Sequence, residues 1–159
     1  VILDADALYA IASLHISLKE LPGQFILTPH VGEFARLINK EVVEVEQNRI
    51  EWARLYAQEN QVVLVLKGYP TVTATPLGEV FVNSTGNPGM ATGGMGDVLT
   101  GVISSLYGQD MEFDKAAVAG VYMHSLAADL LAEEKGVGFT ASEVAEKIPQ
   151  SRMLISENK

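Results

Sequence analysis

Between Gly86 and Asp97 the sequence reads Gly-Asn-Pro-Gly-Met-Ala-Thr-Gly-Gly-Met-Gly-Asp, five glycines that lead into the apolar helical pattern Val98, Leu99, Val102, Ile103 and Leu106. Glycine leaves backbone N–H groups uncovered and tolerates positive φ, and the helix beginning near Asp97 aims the positive end of its dipole at the loop. Such a loop is suited to cradle a phosphate. A carboxylate at the same helix start is useful in an anion site chiefly when it takes a proton from the group attacking that phosphate. The competing role for Asp97 is an ordinary N-cap. Five glycines leave more backbone bare than a turn requires, which favours Asp97 as a base and the chain as a phosphoryl-handling enzyme.

Other polar groups follow apolar runs: Asp4-Ala5-Asp6 after Val1–Leu3, Thr28-Pro29-His30 after Phe25–Leu27, and Lys67-Gly68 after Val62–Leu66. Ligands of open α/β sheets bind outside the carboxyl ends of the strands, so these clusters are expected on one edge together with the glycine loop. Lys67 is either a phosphate contact or the first solvated residue beyond a core strand. His30 and Glu33, three apart at a strand-to-helix junction, either face the pocket mouth together or simply supply a favourable acidic first turn. Asp4 and Asp6 could join a Mg²⁺ network, although an N-cap is the commoner role for Asp6. His124 lies in an Ala-rich helix on one face with Ala117, Val121, Ala128 and Leu131, the pattern of a hydrogen-bonded core histidine; Asp129 lies in the same helix. Trp52 falls on an apolar helix side, and Met90 and Met95 suit gap-filling. The spacing excludes a Walker loop, a Gly-x-Gly-x-x-Gly fingerprint, a Gly-x-Ser-x-Gly elbow and a His-Glu-x-x-His zinc helix.

The elements that must position these residues alternate. The three apolar runs lack polar alternation, as strands covered on both faces do. Helical periodicity marks Asp6–His15, Gly32–Asn39 and Val45–Glu59. This order predicts βαβ units in a three-layer α/β domain with a largely parallel sheet. Thr71–Thr75 and Glu79–Ser84 then alternate as an antiparallel hairpin across Thr75-Pro76-Leu77-Gly78. Three helices close the chain: Asp97–Tyr107, Asp114–Lys135, and Thr140–Ile148, the last opened by a Thr140/Glu143 capping box and stopped by Pro149. Ala116, Ala117, Ala119 and Gly120 make the middle helix narrow enough to approach a neighbour closely.

At 159 residues and 48% hydrophobic content, the length suits a single domain over 1–159. A formal net charge of −9 disfavours nucleic acid and anionic membrane surfaces as main partners. A nucleotide remains compatible, because backbone amides, one Lys or Mg²⁺ reverse the local field. The absence of cysteine removes disulfides and thiolate chemistry and fits a reducing cytoplasm. No run approaches the roughly 20 apolar residues of a membrane span. The chain opens inside an apparent core strand with no initiator Met, so it reads as a fragment.

The run Gly86–Leu99, preceded in order by Asp4-Ala5-Asp6-Ala7-Leu8, Thr28-Pro29-His30-Val31-Gly32-Glu33-Phe34 and Lys67-Gly68, closely resembles the ADP/ATP-dependent NAD(P)H-hydrate dehydratases, from Val1 to about Pro149. The resemblance implies a ribokinase-like fold, truncated of its first strands, which would leave Val1–Leu3 beside a vacant sheet edge or a neighbouring chain. It implies repair of the (S)-epimer of hydrated NADH or NADPH (NADHX, NADPHX), driven by ADP or ATP with Mg²⁺. Asp97 is then the catalytic base and a hydrate contact, and His30 and Glu33 lie at the hydrate, with Glu33 organising Mg²⁺ through water. Lys67, Gly68, Tyr69, Pro70 and Thr71 contact the nucleotide, as does Asn87, and Gly93, Gly94 and Gly96 hold the transferring phosphate. His30-Val31-Gly32-Glu33 stands where sugar and vitamin kinases of the superfamily carry Asn-x-x-Glu, and the His favours the dehydratase. The resemblance also implies a homo-oligomer and an NAD(P)HX epimerase as working partner. The competing functions are a ribokinase-like small-molecule kinase and a catalytically idle nucleotide-binding or assembly module.

Overall fold

The apolar runs fold as short strands, β1 (Ile2–Leu3), β2 (Ile26–Leu27) and β3 (Val63–Leu66), joined in parallel with Ile26 opposite Ile2 and Val63. Both residues of β2 and all four of β3 are buried, which accounts for the missing polar alternation. β4 (Val72–Ala74) and β5 (Val80–Val82) continue the sheet antiparallel, giving the order β1-β2-β3-β4-β5. The Thr75–Gly78 turn forms as the Pro and Gly require, with the Gly78 N–H donating to the Thr75 carbonyl at 2.9 Å.

The computed structural model describes residues 1–157, which fall into two compact units, Val1–Asn83 and the part from Ser84 onward. The first contains the sheet and helices α1 (Asp6–Ser13), α2 (Val31–Leu37), α3 (Val42–Gln47) and α4 (Arg49–Asn60). Its core gathers Leu8, Phe25, Leu27, Phe34, Val45, Ala53, Leu64 and Leu66, with Trp52 and Tyr56 packed against it. Phe34 and Tyr56 meet edge to face at 5.4 Å, and burial pushes the Tyr56 hydroxyl up to about 12. Trp52 is a packing residue, and the Lys40 ammonium lies 5.2 Å from the centre of its ring.

The expected single helix over Val45–Glu59 is two. Asn48, at φ −136 and ψ 37, leaves helical geometry between α3 and α4, and its carbonyl accepts the Trp52 N–H at 3.0 Å to start the second helix. Periodicity alone cannot register such a break, because the apolar stripe continues across it.

The second unit contains a 3₁₀ turn (Pro88–Met90) and helices α5 (Met95–Tyr107), α6 (Phe113–Lys135) and α7 (Ala141–Glu157). The Thr140/Glu143 box opens α7: the Thr140 N–H donates to Glu143 Oε2 at 2.8 Å and the Glu143 N–H to Thr140 Oγ1 at 3.4 Å. Lys135 and Thr140 together hold the Glu143 carboxyl down at about 2. The predicted stop at Pro149 does not occur. Val144, Ile148, Ser151 and Ile155 extend one inward stripe through the proline, and that packing outweighs the helical hydrogen bond that Pro149 cannot donate. Among the described residues no helix is long and apolar enough to cross a membrane.

The narrow face of α6 has a specific cause. A Cβ on Gly120 would lie 2.6 Å from Ile103 Cγ1 and 3.3 Å from the Ile103 Cα in α5. Gly120→Val is therefore expected to destabilise the protein by roughly 2 kcal/mol through overpacking. The measurement is the midpoint of chemical denaturation, and an unmoved midpoint would contradict the tight α5–α6 contact.

His124 is a core residue, as its face predicts, at 4% exposure, but its Nε2 has no hydrogen-bond partner among the described residues. Burial lowers its pKa from 6.5 to about 4. Between those values the unfolded chain binds a proton that the folded chain refuses, so stability is full above pH 6.5 and falls as the pH drops toward 4, by about 3 kcal/mol in all. Denaturation across this window should show that slope, and His124→Gln should flatten it; an equal slope in both proteins would remove His124 as the cause.

Candidate active site

In the first unit, the strand ends come together as the topology requires. β1 delivers Asp4, β2 delivers His30 and β3 delivers Lys67, whose N–H donates to the Pro29 carbonyl at 2.8 Å while His30 and Lys67 form an isolated parallel bridge. The Lys67 ammonium donates to Asp4 Oδ1 at 3.0 Å, with the two side chains 22% and 16% exposed. Lys67 is therefore no free surface cation. Asp4 uses one of its three donors and leaves two for an anion.

The start of α2 shows why His30 and Glu33 are three apart. His30 is the N-cap: its Nδ1 accepts the N–H groups of Gly32 and Glu33 at 3.0 and 3.3 Å, and Glu33 Oε2 accepts the His30 N–H at 2.7 Å. This is a capping box with imidazole in the place of a hydroxyl. Gly32 leaves room for the ring, since a Cβ there would come within 3.0 Å of His30 Cε1. The His30 side chain is 60% exposed and Glu33 15%, so the box turns the imidazole outward and the carboxylate inward.

Asp6 does not cap α1. Ala5 occupies that position at φ 46 and ψ −114, without a side-chain cap, and Asp6 is the first helical residue. A positive φ on a residue with a Cβ stores strain of roughly 1 kcal/mol or more, here between the two aspartates. Among the described residues, no three His, Asp or Glu side chains converge as a metal-binding group. A nucleotide-borne Mg²⁺ asks less, since it keeps several waters and takes one or two protein carboxylates. On this edge Asp4 Oδ1 is taken by Lys67 and Glu33 Oε2 by the His30 N–H, which leaves each carboxylate one oxygen of the type such an ion binds.

After β3 the chain reverses through Gly68-Tyr69-Pro70-Thr71, and Thr71 Oγ1 donates to the Gly68 carbonyl at 3.0 Å. Gly68 lies at φ +153, and a Cβ on it would lie 2.4 Å from Arg49 Nη2. Tyr69 is 86% exposed.

In the second unit, the glycine loop is held from α6. Asp129 Oδ2 accepts the Gly86 N–H and Oδ1 accepts Asn87 Nδ2, both at 2.8 Å, and Asn87 Oδ1 accepts the Gly89 N–H at 3.0 Å to cap the 3₁₀ turn. Asn87 is thus engaged in shaping the loop. Met95 is buried among Ala127, Ala128, Leu131 and Phe139, with Met90 packed alongside, which fits the gap-filling role. Gly89 is needed because a Cβ would sit 2.8 Å from the Phe139 ring.

Gly94 at φ 86 is the N-cap of α5, so Met95, Gly96 and Asp97 form its first turn. Their N–H groups precede the first intrahelical bond, which Val98 makes to Gly94. Asp97 is exposed, makes no capping bond, and has no hydrogen-bond or ion-pair partner among the described residues, so the N-cap alternative fails. Gly93 has an ordinary negative or extended φ, and a Cβ there would meet nothing within 4 Å. Neither backbone nor packing demands glycine at that position, and what the residue offers is bare backbone.

Sequence reasoning missed Asp129 and Arg49. Asp129 had a legible signal, a carboxylate in an otherwise Ala- and Leu-rich stretch, but its partners lie 42 and 43 residues away. Arg49 carried no signal beyond its charge.

The family model for NAD(P)H-hydrate dehydratase matches residues 1–150. The chain is 48% identical over 135 residues to the bifunctional NAD(P)H-hydrate repair enzyme Nnr of Moorella thermoacetica, covering 85% of this chain and 26% of that protein. It is 40% identical over 158 residues to the ADP-dependent (S)-NAD(P)H-hydrate dehydratase of Neisseria meningitidis, covering 97% of this chain and 52% of the relative. The crystal structure of the ADP/ATP-dependent NAD(P)H-hydrate dehydratase of Bacillus subtilis, co-crystallised with ATP/Mg²⁺, superposes with a TM-score of 0.86 at 36% identity, over 96% of this chain and 54% of that one. The chain thus spans about half the length of the single-function relatives and a smaller share of the bifunctional ones. By its family model, its relatives and its fold, the chain belongs to the NAD(P)H-hydrate dehydratase family.

Proposed function

We propose that the protein bearing this chain restores NADH or NADPH from the (S)-epimer of the hydrated cofactor at the expense of ADP or ATP. The observation that carries this reading is the Asp97 carboxylate, exposed and without a partner among the described residues, in the first turn of α5 behind a glycine N-cap. Hydroxide leaves poorly. Phosphorylating the ring hydroxyl converts it into a good leaving group, which the lone pair of the ring nitrogen then expels as phosphate.

Each residue has a stated part. Asp97 accepts the hydroxyl proton as the oxygen attacks the terminal phosphorus, and a carboxylate there does not burden the ground state, because the helix N-terminus offsets its charge. Gly93, Gly94 and Gly96 offer backbone N–H groups to the transferring phosphate. Lys67 neutralises nucleotide charge with the donors Asp4 leaves free, and Gly68–Thr71 contact the nucleotide. Asn87 serves the phosphate loop through its shape. His30 lies against the hydrate. Mg²⁺, when bound with the nucleotide, neutralises phosphate charge, with Glu33 reaching it through water. We infer that it works with an epimerase, in line with the relatives named bifunctional repair enzymes, and that it assembles as a homo-oligomer, as the family resemblance implies. A cytoplasmic setting belongs to the same proposal, in keeping with a sequence that uses no cysteine.

The test is the full-length protein with NADH hydrate, Mg²⁺ and ADP or ATP, read as recovery of NADH absorbance. A stable phosphorylated product without dehydration would instead select a small-molecule kinase, and nucleotide-induced thermal stabilisation without turnover would select an idle binding module. Asp97→Asn, which cannot take the proton, should keep nucleotide affinity and lower turnover by a factor on the order of 10² or more. Full activity in that variant would remove Asp97 from the chemistry.

A further inference from the structure

We propose that Arg49 is the positioning residue for Lys67–Thr71, a role that rests on reading that segment as the nucleotide contact. Arg49 opens α4, and its side chain is 10% exposed. Its Nη2 donates to the carbonyls of Leu66 at 3.2 Å, Lys67 at 3.0 Å and Pro70 at 3.3 Å, and its Nη1 donates to Glu46 Oε2 at 2.9 Å. One nitrogen therefore draws together carbonyls from both arms of the reversal that follows β3. With two hydrogens it shares them among three acceptors, so the cationic charge holds the group more than any single bond.

The consequence is an orientation. In a trans peptide the C=O and the next N–H point to opposite sides. With the Lys67 and Pro70 carbonyls drawn toward Arg49, the Gly68 and Thr71 N–H groups are turned away from the guanidinium; the Gly68 N–H donates to Thr71 Oγ1 at 3.4 Å and steadies the turn, and the Thr71 N–H faces the side from which an anionic ligand would approach. Packing cannot impose this, since Tyr69 at the tip is 86% exposed. The fit is mutual: the space a Cβ of Gly68 would need is filled by Arg49 Nη2, 2.4 Å away. Lysine does not reproduce the arrangement, because a single ammonium has no second nitrogen in fixed geometry to hold Glu46 Oε2 while the first gathers the carbonyls.

The test is nucleotide titration by calorimetry with steady-state kinetics on the full-length protein. Arg49→Met keeps the stem and removes the donors. It should raise Kd and KM for ADP or ATP by about tenfold, through lost preorganisation, while kcat and the KM for NADH hydrate stay within about twofold. Arg49→Lys is read in the same way should the Met variant fail to fold. In Arg49→Ala, added guanidinium ion should restore part of the nucleotide affinity and have no such effect on the wild type. Unchanged nucleotide affinity in a folded variant, or a loss spread equally over kcat and both KM values, would make Arg49 a residue of fold stability and overturn the proposal. Failure of the wild type to bind either nucleotide would instead overturn the reading of the segment, and the proposal with it.

Discussion

The first unit depends on β3, the central strand of the five, paired on both edges and buried over all four of its residues. It pairs in parallel with β2 and antiparallel with β4, so the sheet changes sense across it. Removing Val63, Leu64, Val65 and Leu66 from water contributes roughly 1.5–3 kcal/mol for each side chain. A strand so constrained cannot slip in register, because a shift of one residue would misplace every partner. Its fixed carboxyl end sets where Lys67 emerges, and Asp4 meets Lys67 because β1 and β2 align with it.

The change of sense also determines what can stand at that edge. Parallel strands return through helices, so the end of β2 is followed by a helix start, which needs a cap and finds one in His30. The antiparallel strands return through short reversals with no helix to anchor them, and the Lys67–Thr71 reversal takes its anchor from α4. In the second unit the same need for external support is met by Asp129, a carboxylate on a long helix that accepts two N–H donors from the glycine loop. The two units thus use opposite charges for one purpose: a cation gathers carbonyls in the first and an anion gathers N–H groups in the second.

Much of this was legible in the sequence. The three unbroken apolar runs became the parallel strands, the Thr75–Gly78 turn became the hairpin, and the box at Thr140 and Glu143 formed as spaced. The strand-end rule brought Asp4, His30 and Lys67 together without any contact being visible in one dimension. The failures share a cause. Asn48 divides a helix whose apolar stripe continues, and Pro149 fails to stop a helix whose stripe continues; in both, local preference and tertiary packing diverge, and the sequence displays only the first. The clamps of Arg49 and Asp129 act across 17 or more residues, where no periodicity reports. For His124 the burial was readable and the unpartnered nitrogen was not, since it depends on what the fold brings nearby.

The His30 cap has a consequence for recognition. An imidazole nitrogen that accepts two backbone N–H groups carries no proton of its own, so the capping role assigns the hydrogen of the neutral ring to Nε2. Glu33 Oε1, at 3.6 Å, is too distant to bind that hydrogen fully. The ring therefore meets solvent with fixed polarity, as a donor. It can read a carbonyl or phosphate oxygen and is blind to a partner that offers only hydrogen, and the fold's own need to finish a helix has made that selection in advance.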